Sequence, residues 1–213
     1  MAKHARTGRG SAQVGKRRNA GGLFRAVGTA LSEGLEKVAR AMSTADDLDA
    51  LDLLRAQHRA VDRLFREIQA AKGTSKAIGF RELADMLAVH ATIEEWIFYP
   101  GVRSAETEEL LAESTEEHLA MKRTLADMFD EDVDGDAFDA KLSVLQEQVH
   151  HHAMEEEEAK LFPKVRAATD ADYRAALAGA MIAMMVELQE KGAPRNAISA
   201  ETRQAGSDGS AHH

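Results

Sequence analysis

The chain has 213 residues, 44% hydrophobic and 30% charged, with a formal net charge of −9 and no cysteine. That length suits one domain with a core of its own, or one domain plus tails. Without cysteine, disulfides, iron–sulfur clusters and thiolate chemistry are excluded, and any metal must be held by nitrogen and oxygen.

Only three prolines occur, at Pro100, Pro163 and Pro194, so long uninterrupted helices are permitted. Aromatic residues are scarce at 5%, and β-branched runs of strand length are missing, which predicts an all-α fold. No apolar run approaches the roughly 20 residues needed to span a bilayer. The N-terminus is basic but lacks the apolar stretch and cleavage site of a signal peptide, so a cytoplasmic location is expected.

Residues 1–22, "MAKHARTGRGSAQVGKRRNAGG", lack apolar periodicity and read as a disordered basic tail. Residues 23–45 carry a helical stripe, Leu23, Val27, Leu31, Leu35, Val38 and Met42. An amphipathic helix there would pack on the domain, or meet a partner or a membrane surface. Up to residue 45 the chain carries nine Lys/Arg against two acids, whereas residues 46–190 carry fifteen against thirty-two. No nucleic-acid partner is expected for so acidic a body, because phosphate contacts need the opposite charge.

Residues 46–190 divide into long amphipathic segments. The first opens with Asp46 or Asp47 as a helix cap and ends near Gly73. The second runs from about Lys76 to Val102, the third from about Thr107 to Asp130, and the fourth to about Ala167. A fifth, Asp170 to Glu190, carries the Met-rich "MIAMMVEL" that reads as packing. Residues 191–213 read as a disordered polar tail.

Positions spaced three and four apart form an apolar seam on each of the first four helices. They are Leu51, Leu54, His58, Val61, Phe65 and Ile68; then Leu83, Leu87, His90, Glu94 and Ile97. The third is Leu111, Ser114, His118, Met121, Leu125 and Met128; the fourth is Phe138, Leu142, Leu145, Val149, His152 and Glu156. Each seam is interrupted by one histidine, and two carry a glutamate one turn later. One such histidine is ordinarily a satisfied core residue. Four, with two carboxylates, would cost several kcal/mol per unpaired charge unless paired or metal-bound. Imidazole plus carboxylate suits iron, manganese or zinc.

The same register orders the run "VHHHAMEEEEAKLFP", Val149 to Pro163. It turns His152 and Glu156 inward, leaves His150 and His151 on the surface, and makes Glu155 and Glu158 solvated, with Glu157 at the border.

In these residues the sequence resembles the hemerythrin-like (HHE cation-binding) family. The matching elements are His58 in "RAQHRAVDRLF", "HATIEEWIFYP" with His90 and Glu94, His118 in "EEHLAMKRTL", and "HAMEEEEAKLFP" with His152 and Glu156. The resemblance covers about residues 47–168. It implies an up-down-up-down four-helix bundle around a non-haem di-iron site, with terminal histidines and bridging carboxylates. Hemerythrin proper has a further histidine one turn after the third-helix ligand, and here Lys122 stands there. Six ligands rather than seven leave coordination positions for water or a small ligand.

A second departure concerns the fourth helix. Glu94 precedes Pro100 by six residues, whereas Glu156 precedes Pro163 by seven. A π-bulge would absorb the extra residue and bring in Glu157, at the i+5 spacing of hemerythrin proper. The stretch "DEDVDGDAFDAK" opens like a calcium loop but ends on Lys141 where a bidentate Glu is needed, and reads as an acidic turn.

Two functional classes follow: a di-iron protein that binds or reacts with O2, NO or peroxide, and an iron- or redox-sensing or iron-handling module without turnover. A structural zinc bundle is a third.

Overall fold

The computed structural model describes residues 49–209, with side chains described to residue 203. The basic tail, the amphipathic stretch 23–45 and the caps expected at Asp46 and Asp47 lie outside the described residues. The first helix, α1 (Ala50–Ala70), is capped instead by Asp49, whose carboxylate accepts from the Leu51 N–H at 2.9 Å.

Helix α2 (Gly73–Ile93) continues through a π-helical segment, Glu94–Phe98, into the α-helical turn Tyr99–Val102. Helix α3 spans Glu108–Met128. Helix α4 (Asp136–His150) likewise runs through a π-helical segment, His151–Leu161, into the α-helical piece Phe162–Ala168. No strand occurs among the described residues. Helices α1 and α3 each pack against both α2 and α4, which closes the four-helix ring. A fifth helix, α5 (Ala171–Lys191), lies along α1 and α2. Gly101 lets the end of α2 approach α5, since a Cβ there would stand 2.6 Å from Leu177 Cδ2.

The seams bury as their periodicity predicts, from Leu51, Leu54 and Phe65 on α1 to Phe138, Leu142 and Leu145 on α4. At one end of the bundle Phe80 meets Phe138 edge-on, with ring centroids 5.0 Å apart. The other end holds the histidines.

Both π segments end just ahead of a proline, at Phe98 before Pro100 and at Leu161 before Pro163. Proline lacks a donor and crowds the carbonyl four residues back, so a wider turn stands where the α ladder is already weakened. The wider turn moves the seam by one residue. Ile97, expected inward, is only half-buried, and Phe98 is fully buried in its place.

The stretch 191–213, expected as a disordered tail, is corrected over its described part. Pro194–Ala197 forms a 3-10 turn, and Ile198–Gly209 forms a helix, α6, packed on α3. Ile198 is buried in the main core, and Asp85 accepts the Arg195 N–H at 3.0 Å. One apolar anchor is too few to give a periodic signal.

The start of α1 and the start of α5 are tied by charge. Arg174, nearly buried, donates from Nε to Asp49 Oδ2 at 2.7 Å and from Nη1 to the Thr169 carbonyl at 2.6 Å. Burial raises the Asp49 pKa, but the Arg174 hydrogen bond and the Leu51 N–H outweigh it and hold the carboxyl below its ordinary 3.8. A depressed carboxylate stabilises the fold above its unfolded pKa, and that contribution fades as pH falls through the folded value. Asp49→Ala should cost about 2–3 kcal/mol at neutral pH, from a lost cap and an unpaired buried guanidinium. Chemical denaturation checks this, and the deficit should shrink as pH falls below the ordinary Asp value of 3.8.

Candidate metal centre

Six side chains meet in the dry interior between the four helices: His58 from α1, His90 and Glu94 from α2, His118 from α3, and His152 and Glu157 from α4. All are buried, with Glu94 and Glu157 at 0% exposure. Their inward atoms fall into two overlapping groups, His58–His90–Glu94–Glu157 and Glu94–His118–His152, each with ligand atoms within 4.8 Å of one another. Glu94 belongs to both. Its Oε2 lies 3.2 Å from His90 Nε2, 3.2 Å from His118 Nε2 and 3.9 Å from His152 Nε2. Glu157 Oε2 lies 3.3 Å from His58 Nε2 and 3.7 Å from His152 Nε2.

Five of the six residues singled out by sequence are therefore brought together, and Glu156 is not. Its Oε1 meets Lys160 at 2.5 Å and His151 Nε2 at 3.6 Å. The physical reason is the π-helical turn. With α-helical spacing, position i+5 would fall about 140° around from His152, whereas i→i+5 bonding returns it to the same face. Glu157 takes the inward place that α periodicity gave to Glu156. Counting back six residues from each proline finds both inward glutamates, Glu94 and Glu157, so the aromatic-proline endings carried the signal.

Each imidazole is held by its outer nitrogen. His58 Nδ1 lies 2.8 Å from Glu158 Oε1, and His90 Nδ1 lies 2.7 Å from Gln57 Oε1. His118 Nδ1 lies 2.9 Å from Glu95 Oε1, and His152 Nδ1 lies 2.8 Å from Glu117 Oε2. Carboxylate and amide oxygens only accept, so each Nδ1 carries the proton and each Nε2 is the atom left for the interior. Sequence reading placed Glu158 in solvent and missed the orienting roles of Gln57, Glu95 and Glu117. None lies on a seam, so periodicity gave no signal. His150 and His151 are exposed, as expected.

The electrostatics are those of a cation site. Burial lowers the His58 pKa, but the adjacent carboxylates of Glu157 and Glu158 outweigh it and push the imidazole up to about 9. His152 likewise rises to about 10, burial being overcome by Glu157, Glu117 and Glu94. His90 falls to about 3, chiefly through burial and only partly offset by Glu94. Negative charge that draws protons to these nitrogens draws a metal cation to the same place. Even so, both oxygens of Glu94, Oε2 of Glu157 and Nε2 of His58 are buried without a hydrogen-bond partner. Uncompensated buried polar atoms are costly, and a cation among them would satisfy all four together. The donor set fits a metal.

Residues 49–165 match the family described as Hemerythrin HHE cation binding domain. The chain belongs to that family. The fold agrees with the crystal structure of a hemerythrin HHE cation binding domain-containing protein from Mycobacterium kansasii. It aligns with a TM-score of 0.58 at 21% identity, over 73% of this chain and 92% of that one. A curated relative from Nostoc sp., described as a DNA nickase, is 31% identical over 146 residues. The match takes in 66% of this chain but 38% of that protein, so the chain spans well under half of the relative it matches. As an HHE domain, the chain presents a buried His/Glu cluster able to hold metal cations.

The geometry separates neighbouring side chains by experiment. Glu157→Ala should empty much of the site, whereas Glu156→Ala should keep wild-type metal. His152→Ala should lose metal and His150→Ala should not. Metal content of the purified variants checks all four, and an empty Glu156→Ala beside a loaded Glu157→Ala would overturn the π-turn register.

Proposed function

We propose that the chain is a non-haem di-iron protein that binds, or reacts with, a small oxidant or diatomic ligand such as O2, NO or H2O2. The observation that supports this most is Glu94: a fully buried carboxylate, with no hydrogen bond on either oxygen, shared by two clusters of imidazoles. Glu94, common to both groups, would hold metal at both positions. His58, His90 and Glu157 complete one position, and His118 and His152 complete the other. Nitrogen and oxygen donors suit iron, and the resemblance to hemerythrin favours iron over zinc. Bound iron would supply exchangeable positions and the electrons that a small oxidant takes up.

The protein's own part is orientation and exclusion of water. The outer carboxylates fix each ring, as second partners of metal-bound histidines commonly do. Tyr99 donates from its hydroxyl to Glu157 Oε1 at 3.1 Å. Burial, with Glu157 and Glu94 nearby, pushes its pKa well above the ordinary 10, so the hydroxyl keeps its proton beside the cluster. A groove of about 680 Å³ between α1 and α4 is lined by His58, Asp62, Val149, His150 and Met154, and so touches one histidine of the cluster. No helix among the described residues is long and apolar enough to cross a membrane.

Nicking of DNA, named for the Nostoc relative, is not adopted: most of that protein lies outside the match, and the acidic body here opposes phosphate contact.

Protein reconstituted with ferrous iron should bind about two irons per chain and, after oxidation to the ferric state by air, show near-UV charge-transfer bands. Protein that takes up no iron, or only redox-silent zinc, would exclude the reading. Glu117→Ala should weaken iron binding by roughly 10–100-fold, measured by competition with a chelator, because His152 loses its orienting partner. Stopped-flow mixing with peroxide or NO separates the classes. Repeated turnover marks an enzyme, and a spectral change without turnover marks a sensor.

A further inference from the structure

The orienting carboxylate of His118 does not stand alone. Glu95 also receives Lys122 Nζ, at 3.0 Å on Oε1 and 3.1 Å on Oε2. Lys122 is 9% exposed, and its ammonium extends to Glu201 Oε2 at 2.8 Å. Glu201 belongs to α6, beyond the residues matched by the family. A continuous line of polar contacts therefore runs from the inward face of His118 through Glu95 and Lys122 to the C-terminal helix. Glu95, Lys122 and Glu201, with Trp96 and Ile198, line a cleft of about 630 Å³ between α2, α3, α5 and α6.

We infer that α6 is coupled to the metal centre through this line, with Lys122 and Glu201 as positioning residues: docking of α6 raises metal affinity, and metal binding tightens α6. The inference rests on the cluster holding metal, as proposed above.

The physical basis is the division of one buried ammonium between two carboxylates. Lys122 has three N–H donors, and sharing them with Glu201 limits their draw on Glu95 Oε1, which also accepts the His118 N–H. When Glu201 is removed, the whole charge of Lys122 falls on Glu95. That carboxylate becomes a poorer acceptor for His118, whose ring is then less firmly aimed and its Nε2 less basic. Undocking of α6 would also admit water to Glu95 through the cleft and weaken the same contact. Both effects lower metal affinity. Because coupling between two equilibria is reciprocal, a metal that favours the aimed ring must favour docked α6 by the same factor.

Among the described residues, α6 and the turn before it have further anchors. Ile198 enters the core, Asp85 accepts the Arg195 N–H, and Arg195 pairs with Asp85 through its guanidinium. Loss of Glu201 removes the ion pair that ties α6 to Lys122 on α3.

Two measurements on the full chain test this, with ferrous ion as probe. In a chelator competition, Glu201→Gln should weaken ferrous binding by about fivefold or more, within the usual range of site-to-site coupling. Lys122→Arg, which keeps a cation shared between Glu95 and Glu201, should hold near wild-type affinity. In hydrogen exchange, loading the wild type should slow the amides of residues 198–209, and loading Glu201→Gln should leave them unchanged. Since Glu201 lies at the surface end of the line, its Gln variant should fold normally and keep both seats of Ile198 and Asp85. Wild-type affinity in Glu201→Gln, or α6 exchange indifferent to metal in the wild type, would overturn the coupling. A wild type that binds no ferrous ion at all would instead remove the proposed function on which it stands.

Discussion

Glu94 carries both its negative charge and both its unpartnered oxygens at 0% exposure, surrounded by imidazole nitrogens on three other helices and its own. A bare carboxylate so placed would be strongly unfavourable in a low-dielectric interior, and positive charge must gather around it. The surrounding residues answer that demand. His90 and His118 stand 3.2 Å away, and the raised pKa values of His58 and His152 show how strongly the carboxylates call for a cation. Four helices are held to one geometry because each contributes an atom to the same small volume.

Around that centre the chain builds a second ring, in which every imidazole gives its Nδ1 proton to an oxygen acceptor. Three of the four acceptors are carboxylates, Glu158, Glu95 and Glu117, and the fourth is Gln57. These residues sit off the apolar seams and partly open to water, which lessens the cost of their charge. Their burden is angular rather than energetic: they decide which nitrogen faces inward. Lys122 occupies the place at which hemerythrin proper carries one more histidine. Here it faces Glu95 and Glu201 instead of the cluster.

The two π-helical segments reconcile this ring with continuous helices. A strictly α-helical α4 would aim His152 and Glu156 inward, which leaves the carboxylate one residue out of step with its counterpart on α2. The wider turn moves the inward place to Glu157 and frees Glu156 for Lys160 and His151. The same shift replaces Ile97 by Phe98 in the core of α2. Both turns lie beside a proline, where the α ladder is interrupted in any case.

By itself the sequence determined the helical class, the four seams and the histidine on each, because burial of one face imposes a period that can be read one residue at a time. It also marked the cluster as a site for nitrogen- and oxygen-held metal, since four imidazoles and two carboxylates cannot share an apolar interior uncompensated. Three features were decided only by the tertiary structure. The choice of Glu157 over Glu156 depends on a change of helical pitch, which α periodicity cannot express. The identities of Glu95, Glu117, Glu158 and Gln57 as orienting acceptors depend on distances between helices, and no single helix records them. The seating of α6 depends on Ile198, Arg195 and Glu201 finding partners on α2 and α3, contacts too few and too distant in the chain to leave a pattern in its own residues.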